Sequence, residues 1–338
     1  CIADKVLMMD MTFRDILRQS PASPAPRCGI TDRGTRETMR HFGANLVYTH
    51  MVSMEGLVRR DRKTMALLDI ANEAPPVVVQ FFGSRPETAA EAARILEQHG
   101  VGVVDLNLGC PARKVVGSNC GSALLKSPSL VGQIVRAVVK AISVPFTVKM
   151  RWDVDSDEGA ALEVARICEA EGAQAVALHA RTRAERYKGR ADWSRIAQMK
   201  AALSIPVIGN GDIRSPEDAR EMVRQSGCDA VMIGRGIIGD PWLVKRCADA
   251  LDNPNQPIEP WTPSLEDRLE AMHYHAACMV EWKGERYGLI EFRKHAVAYL
   301  KGLPNANEVK NAMMHVASLT EMDDLLAQNH EALASVEL

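Results

Sequence analysis

The sequence predicts a (β/α)8 TIM barrel with a C-terminal all-helical domain and an atypical first strand. Three observations carry that prediction. Between Leu46 and Leu251, short apolar runs alternate with helical stretches, the rhythm of βαβ units. The runs are continuously apolar, as in parallel strands covered on both faces. After the proline- and asparagine-rich Asn253–Pro263 the periodicity becomes helical throughout. At 338 residues the chain suits one large domain and one small one, since barrels of roughly 200–250 residues fold as single domains.

The elements follow in order. Residues 1–23 form an atypical N-terminal segment. Val6 to Leu17 has some helical character, and Ser20-Pro-Ala-Ser-Pro-Ala-Pro reads as a linker. The barrel is expected over 24–252. Its first strand falls near Pro24 to Ile30, where it is a poor one, and Leu46 to Thr49 is the second. Met65 to Ala71 belongs to a helix. Strands then open at Pro76, Val101, Pro145, Ala175, Pro206 and Asp229, and helices at Pro86, Ser129, Glu158, Asp192, Pro216 and Pro241. Several of these helices begin on proline, which suits a first turn because its missing N–H has no partner there. A small helical domain is expected over 264–338.

Composition excludes some classes. The hydrophobic share of 46% and charged share of 25% are those of a soluble globular protein. No apolar run reaches the roughly 18 residues of a membrane span, and no basic-then-apolar signal pattern opens the chain. Its first residue is Cys1, read as a truncated or processed start. The eight cysteines are scattered with no C-x-x-C spacing, which gives no support to a zinc or iron–sulfur framework. No metal is expected. Free thiols imply a reducing compartment, hence the cytoplasm. A net charge of −2 leaves any polyanion binding to local basic patches. Oligomeric state is open.

In a barrel, chemistry gathers at the C-terminal ends of the strands. There stand Gln80, Asn107, Cys110, Lys149, Arg151, His179, Arg181, Arg183, Asn210, Asp212, Gly234 and Arg235. Singly, each has an ordinary structural explanation: strand-end lysines and arginines are usually solvated, and free cysteines are commonly buried. That nearly every clear strand ends this way is not expected by chance. The run Asp105 to Lys126 stands out. An apolar strand leads into Gly109-Cys110-Pro111, then a glycine-spaced basic loop, then a helix near Pro128.

Gly234-Arg-Gly-Ile-Ile-Gly239 matches a dinucleotide fingerprint by letter but lies on the last strand, not the first. It suits a barrel phosphate site beyond strands 7 and 8, beside Asn210-Gly211-Asp212. Lys149 and Gln80 lie further round the ring. Flavin mononucleotide (FMN) fits, with a lysine beside the ring to stabilise its reduced form. Basic residues cluster at Arg113, Lys114 and Lys126, and again at Lys283, Arg286, Arg293, Lys294, Lys301 and Lys310 among aromatic residues. One reading is solvated helix faces. The other is a polyanion held across the mouth.

These residues resemble a known family. Asp105-Leu-Asn-Leu-Gly-Cys-Pro with Gly121-Ser-Ala-Leu-Leu is similar to the signature of the tRNA-dihydrouridine synthases. The likeness extends through Val79-Gln-Phe-Phe-Gly, Val148-Lys-Met-Arg, Leu178-His-Ala-Arg-Thr-Arg, Gly209-Asn-Gly-Asp and Ile233-Gly-Arg-Gly. Phe292-Arg-Lys-His and Tyr299-Leu-Lys-Gly-Leu-Pro resemble the bacterial B-type subgroup. The resemblance covers about residues 29 to 325 and implies reduction of a uridine C5=C6 bond in tRNA by FMN, itself reduced by NADPH or NADH. It implies that Cys110 is the general acid. It implies flavin contacts from Pro26, Arg27, Cys28, Gln80, Lys149, His179, Asn210, Gly211, Asp212, Gly234 and Arg235. It implies tRNA contacts from Asn107, Arg113, Lys114, Arg181, Arg286, Arg293 and Lys294. A thiol of ordinary pKa near 8.5 is a workable acid at neutral pH.

The chain departs from the family at strand 1. Where the family reads Ala-Pro-Met-Ala-Gly and then Thr-Asp-Arg-Pro-Phe-Arg, this chain has Ala25-Pro-Arg-Cys-Gly and Thr31-Asp-Arg-Gly-Thr-Arg. Two other readings follow. One is an RNA-binding protein of this fold with impaired flavin binding. The other is a small-molecule pyrimidine reductase, against which the basic-aromatic helices argue.

Overall fold

The computed structural model describes residues 11–68, 70 and 73–334. The expected helical stretch from Val6, Cys1, the end of the helix expected at Ala71, and residues 335–338 lie wholly or partly outside them. One all-parallel sheet is formed by β1 (Ala22–Pro24), β2 (Val47–Tyr48), β3 (Val52–Ser53), β4 (Val77–Phe82), β5 (Val103–Leu108), β6 (Phe146–Arg151), β7 (Ala175–His179), β8 (Val207–Asn210) and β9 (Ala230–Ile233). The order is β1-β9-β8-β7-β6-β5-β4-β2, with β3 also on β4. Because β2 meets β4 at Val77 and β3 meets it at Phe81, the two fill one strand position. Eight positions make a nearly closed barrel.

The first strand corrects the sequence reading. It lies not at Pro24–Ile30 but at Ala22–Pro24, inside the stretch read as a linker. Its ladder explains the weak signal. Val231 N–H donates to the Pro21 carbonyl, and Ala25 N–H donates to that of Ile233. Odd-numbered residues therefore bond to β9, and even-numbered ones face β2. Pro24 is one of these and has no N–H to give. The barrel's seam falls there, between β1 and β2.

Period-two alternation divides the strands. Val79, Phe81, Val104, Leu106, Val148, Leu178, Val231 and Ile233 face the surrounding helices in the main core. Tyr48, Val78, Val103, Ala177, Ile208 and Met232 fill the barrel axis. The axis is closed from below by the helix Phe13–Gln19, whose Phe13, Ile16 and Leu17 are buried in that inner cluster. Thr12 and Asp15 form its capping box. One step further up the same inward faces, the residues turn polar: Gln80, Asp105, Asn107, Lys149, His179 and Asn210. The helix expected over Met65–Ala71 begins earlier, at Arg62–Ala66, because Asp61 caps it by accepting from Thr64 N–H at 2.9 Å.

The C-terminal residues form helices Leu265–Lys283, Glu285–Tyr299, Ala306–Met313, Leu319–Gln328 and His330–Ala334. Their core includes Met272, Phe292, Tyr299 and Met322, with Phe42 and Trp242 of the barrel packed against it. Contact with the barrel is close. A Cβ on Gly34 would lie 2.5 Å from Met279 Sδ, and one on Gly239 (φ +80°) would lie 2.6 Å from the Ala298 carbonyl carbon. Gly239 thus answers to packing, not to a dinucleotide.

A buried polar cluster crosses this contact. Asp32 caps helix Arg33–His41 by accepting from Thr35 N–H at 3.0 Å. The Thr35 hydroxyl lies 3.0 Å from Asp32 Oδ1 and 3.2 Å from His275 Nε2. His275 Nδ1 lies 3.2 Å from the Tyr299 hydroxyl, and Lys294 Nζ donates to Asp32 at 3.5 Å. Burial alone would raise the Asp32 pKa, but His295, His275 and Lys294 hold it well below the usual carboxylate range. Asp32→Ala removes a helix cap and strands these groups. It should lower unfolding free energy by about 2 kcal/mol, measured by urea denaturation.

Candidate functional site

The inward polar residues and the loops above them enclose a cleft of about 1170 Å³ of empty space, including its part open to solvent. It is lined by Cys110 and Asn107 of the β5 end, Gln80 of β4, Lys149 of β6, His179 of β7 and Asn210 of β8. The turns Gly211–Arg214 and Gly234–Gly236 line it too, with Pro26, Arg27 and Cys28 after β1. Strand ladders bring these together: Gln80 stands beside Asp105, Asn107 beside Lys149, and His179 beside Asn210.

Cys110 is half-buried and held by its backbone on both sides. Its N–H donates to Asn107 Oδ1 at 2.9 Å, and its carbonyl accepts from Ser122 N–H at 3.1 Å and Ser122 Oγ at 3.0 Å. The returning loop must come close. A Cβ on Gly121, whose φ is +60°, would lie 2.8 Å from the Cys110 carbonyl, so only glycine fits without strain. Burial pushes the Cys110 thiol above its ordinary range, with the amide of Ala112 opposing and Cys28 adding to the rise. The group is a protonated thiol at neutral pH.

Across the cleft, Lys149 Nζ donates to Asn210 Oδ1 at 2.9 Å, and Asn210 Nδ2 donates to the Met232 carbonyl at 2.6 Å. Desolvation first, and then Arg151, lowers the Lys149 pKa to about 8. His179 is driven well below its ordinary value by burial and by Arg151, Lys149, Arg181 and Arg235, so its ring is neutral. Two glycine turns sit side by side because β8 and β9 pair. A Cβ on Gly211 (φ +138°) would lie 2.6 Å from Ala191 Cβ, and one on Gly236 2.7 Å from the Ile213 carbonyl oxygen. Asp212 holds this corner in a left-handed conformation, φ 58°. Its carboxylate accepts from Ala191 N–H at 2.8 Å, from Arg235 at 2.7 Å and from Arg181. Burial alone would raise Asp212's pKa, and these partners lower it.

Every residue expected near a flavin lines the cleft. The expected tRNA-contacting residues divide. Asn107 lines the cleft, while Arg113 and Lys114 are exposed on the short helix Arg113–Val116 just beyond Cys110. Arg286 is exposed on the helical unit. Arg293 donates to the Val316 carbonyl at 3.3 Å, and Lys294 reaches Asp32. Arg181 is only 1% exposed. Its guanidinium donates to the Lys188 and Gly189 carbonyls at 3.1 and 3.0 Å as well as to Asp212, so it braces a loop and does not face the cleft.

That loop carries what sequence reasoning missed. Tyr187 is 50% exposed and lines the cleft. The Arg235 guanidinium lies 4.7 Å from its ring centroid, and the His179 ring 6.3 Å away. Arg186, Lys188 and Arg190 are exposed beside it. The signal was present as a basic run flanking one tyrosine after β7.

Cys110's raised pKa has a direct readout. Alkylation by iodoacetamide, which needs the thiolate, should accelerate at higher pH for Cys110 than for an ordinary thiol. Mass spectrometry of the Cys110 peptide across pH measures it; a profile at or below that of a free thiol would contradict the geometry.

The family model described as dihydrouridine synthase (Dus) matches residues 23–336. The chain is 38% identical over 290 residues to a probable tRNA-dihydrouridine synthase of Rickettsia conorii, covering 86% of this chain and 87% of that protein. It is 40% identical over 292 residues to tRNA-dihydrouridine synthase B of Pseudomonas aeruginosa, covering 85% of each. Among solved structures, a 2-naphthoyl-CoA reductase in complex with 2-naphthoyl-CoA matches with a TM-score of 0.54 at 14% identity. That match covers 68% of this chain and 50% of the other, and it speaks for the fold alone.

Proposed function

The chain belongs to the dihydrouridine synthase family, and from that premise we propose that it reduces the C5=C6 bond of specific uridines in tRNA to 5,6-dihydrouridine. The observation that carries the proposal is the pairing across one cleft of a rigidly held, protonated thiol with two glycine turns and a half-buried ammonium. A phosphate-bearing flavin suits that set. Gly234, with open space where a Cβ would stand, lies beside the Gly211 turn at two adjacent strand ends, the kind of place where backbone N–H groups receive phosphate. In this reading FMN is held by Pro26, Arg27, Cys28, Gln80, Lys149, His179, Asn210, Gly211, Asp212, Gly234 and Arg235. When bound and reduced by NADPH or NADH, it supplies the hydride that reaches uridine C6.

The chain's own residues supply the rest. Cys110 delivers its proton to C5, leaving a thiolate that solvent reprotonates. Burial assists by keeping the thiol protonated until the pyrimidine carbon accepts. Lys149 offers positive charge to an anionic ligand while its ammonium persists, below about pH 8. Neutral His179 offers one N–H and one acceptor without adding charge. Arg113, Lys114 and Arg286, all exposed, take tRNA phosphates. The target uridine leaves its stack to enter, and Asn107 meets it. Residues 24–252 thus carry the chemistry and 264–338 the grip on tRNA, in the cytoplasm.

Cys110→Ala should retain tRNA binding and yellow colour while dihydrouridine formation falls by about 10²–10⁴-fold. Mass spectrometry of modified tRNA reads the product, and wild-type-like product from this variant would refute the acid role. Cys120 is buried, with its thiol 3.2 Å from the Ser118 carbonyl, and Cys120→Ala should leave turnover within about twofold. The pH profile carries a second expectation. Lys149 is charged below about pH 8 and neutral above it, so kcat should fall through that pH. Lys149→Arg, whose charge does not titrate, should remove this alkaline limb even if overall activity is lower.

A further inference from the structure

Asp105 lies one strand-step below Asn107, is 1% exposed, and does not line the cleft. Both of its oxygens accept: Oδ1 from the Thr147 hydroxyl at 2.6 Å, and Oδ2 from Gln80 Nε2 at 2.7 Å. A carboxylate only accepts, so the nitrogen end of the Gln80 amide must face it. The Gln80 oxygen then faces Asn107 and accepts from Nδ2 at 2.7 Å. Asn107, its nitrogen committed, turns its oxygen to the strand end, where it takes the N–H groups of Gly109 at 3.1 Å and Cys110 at 2.9 Å. Each amide has two ends of opposite sense, so the direction set at Asp105 passes undivided to the Cys110 backbone.

We propose that Asp105 is a positioning residue for Cys110: its carboxylate fixes the orientation of the Gln80 and Asn107 amides, and through them the placement of the thiol at the mouth. The role rests on the reading of Cys110 as the proton donor. The relay needs an acceptor turned toward Gln80, and an ionised carboxylate offers nothing but acceptors. Burial raises Asp105's pKa to about 6, with Thr147, Gln80 and Lys149 opposing, so the anion prevails at neutral pH. A reversed Gln80 amide would turn its oxygen toward the Asp105 carboxylate and its nitrogen toward the Asn107 nitrogen, and neither pair could hydrogen-bond.

The test compares Asp105→Leu with Asp105→Asn. Leucine takes away the acceptor and frees both amides to reverse. Asparagine can keep the relay, because its oxygen can serve Gln80 while its nitrogen donates to Thr147, whose hydroxyl can turn to accept. Asp105→Leu should lower kcat at least about tenfold with KM for tRNA within about twofold, and should shift the pH profile of Cys110 alkylation. Asp105→Asn should recover most of both. Wild-type kcat and alkylation in Asp105→Leu would overturn the proposal, and so would an Asp105→Asn variant as impaired as Asp105→Leu. Should the leucine variant not fold, Gln80→Met cuts the same relay one link nearer the mouth. It should reproduce the alkylation shift, and an unshifted profile would overturn the proposal. Alkylation is read without tRNA, so it tests the relay even if the wild-type protein forms no dihydrouridine, a result that would sink the functional reading instead.

Discussion

The nearly closed parallel sheet is the constraint on which the rest depends. Once the strands curl into a barrel, alternate residues of every strand have nowhere to point except the axis. In this chain the lower axial residues are apolar and sealed beneath by Phe13, Ile16 and Leu17. Higher up, the same faces become polar, and buried polar groups must find partners. They find them sideways, from strand to strand: Thr147 to Asp105, Gln80 to Asp105, Asn107 to Gln80, Lys149 to Asn210 and Asn210 to the β9 backbone. The network that satisfies the top of the core is therefore also the floor of the cleft. Replacing one member changes both packing satisfaction and site geometry.

Much of this was legible because the signals are local. Apolar runs place β4 to β9, and the polar residue ending each run places the rim. The eleven residues expected at a flavin all line one cleft. What sequence reasoning misplaced depends on partners distant in the chain. β1 has three residues and two nearby prolines, and it is a strand only because β9 supplies the ladder. Arg181 reads as one more strand-end cation. Only the fold shows that Lys188, Gly189 and Asp212 use its guanidinium. Lys294 lies in a basic-aromatic helix, yet its nearest charged partner is Asp32, 262 positions away in the chain. Tyr187 was overlooked because it sits in a loop, where hydrophobic periodicity has nothing to say.

The contact between the two units accounts for part of the departure in the region after strand 1. Gly34 and Thr35 stand where the family has proline and phenylalanine. Gly34 admits Met279, and Thr35 offers a hydroxyl between Asp32 and His275. This chain thus has a glycine close approach and a hydrogen-bond chain at these two positions. The helical unit is thereby fixed to the helix that follows the first turn of the mouth. Thus the placement of the helical unit is set partly by residues that follow one wall of the cleft.

Arg27 and Cys28 pose a different question, since both line the cleft. The turn that carries them does not rely on their side chains. Arg27 N–H donates to the Thr31 hydroxyl at 3.0 Å, that hydroxyl lies 3.2 Å from the Arg27 carbonyl, and the N–H groups of Ile30 and Thr31 donate to the same carbonyl at 3.0 Å. Gly29, at φ +73°, takes the left-handed step. Backbone and Thr31 fix the turn, so the side chains at 27 and 28 are free to vary without moving the wall. Their exchange for a guanidinium and a thiol changes the chemistry that faces the cleft while leaving its shape to Thr31 and Gly29. Cys28 is close enough to Cys110 to push that thiol further toward its protonated form. The departure at position 28 therefore sets a second thiol where it opposes ionisation of the first.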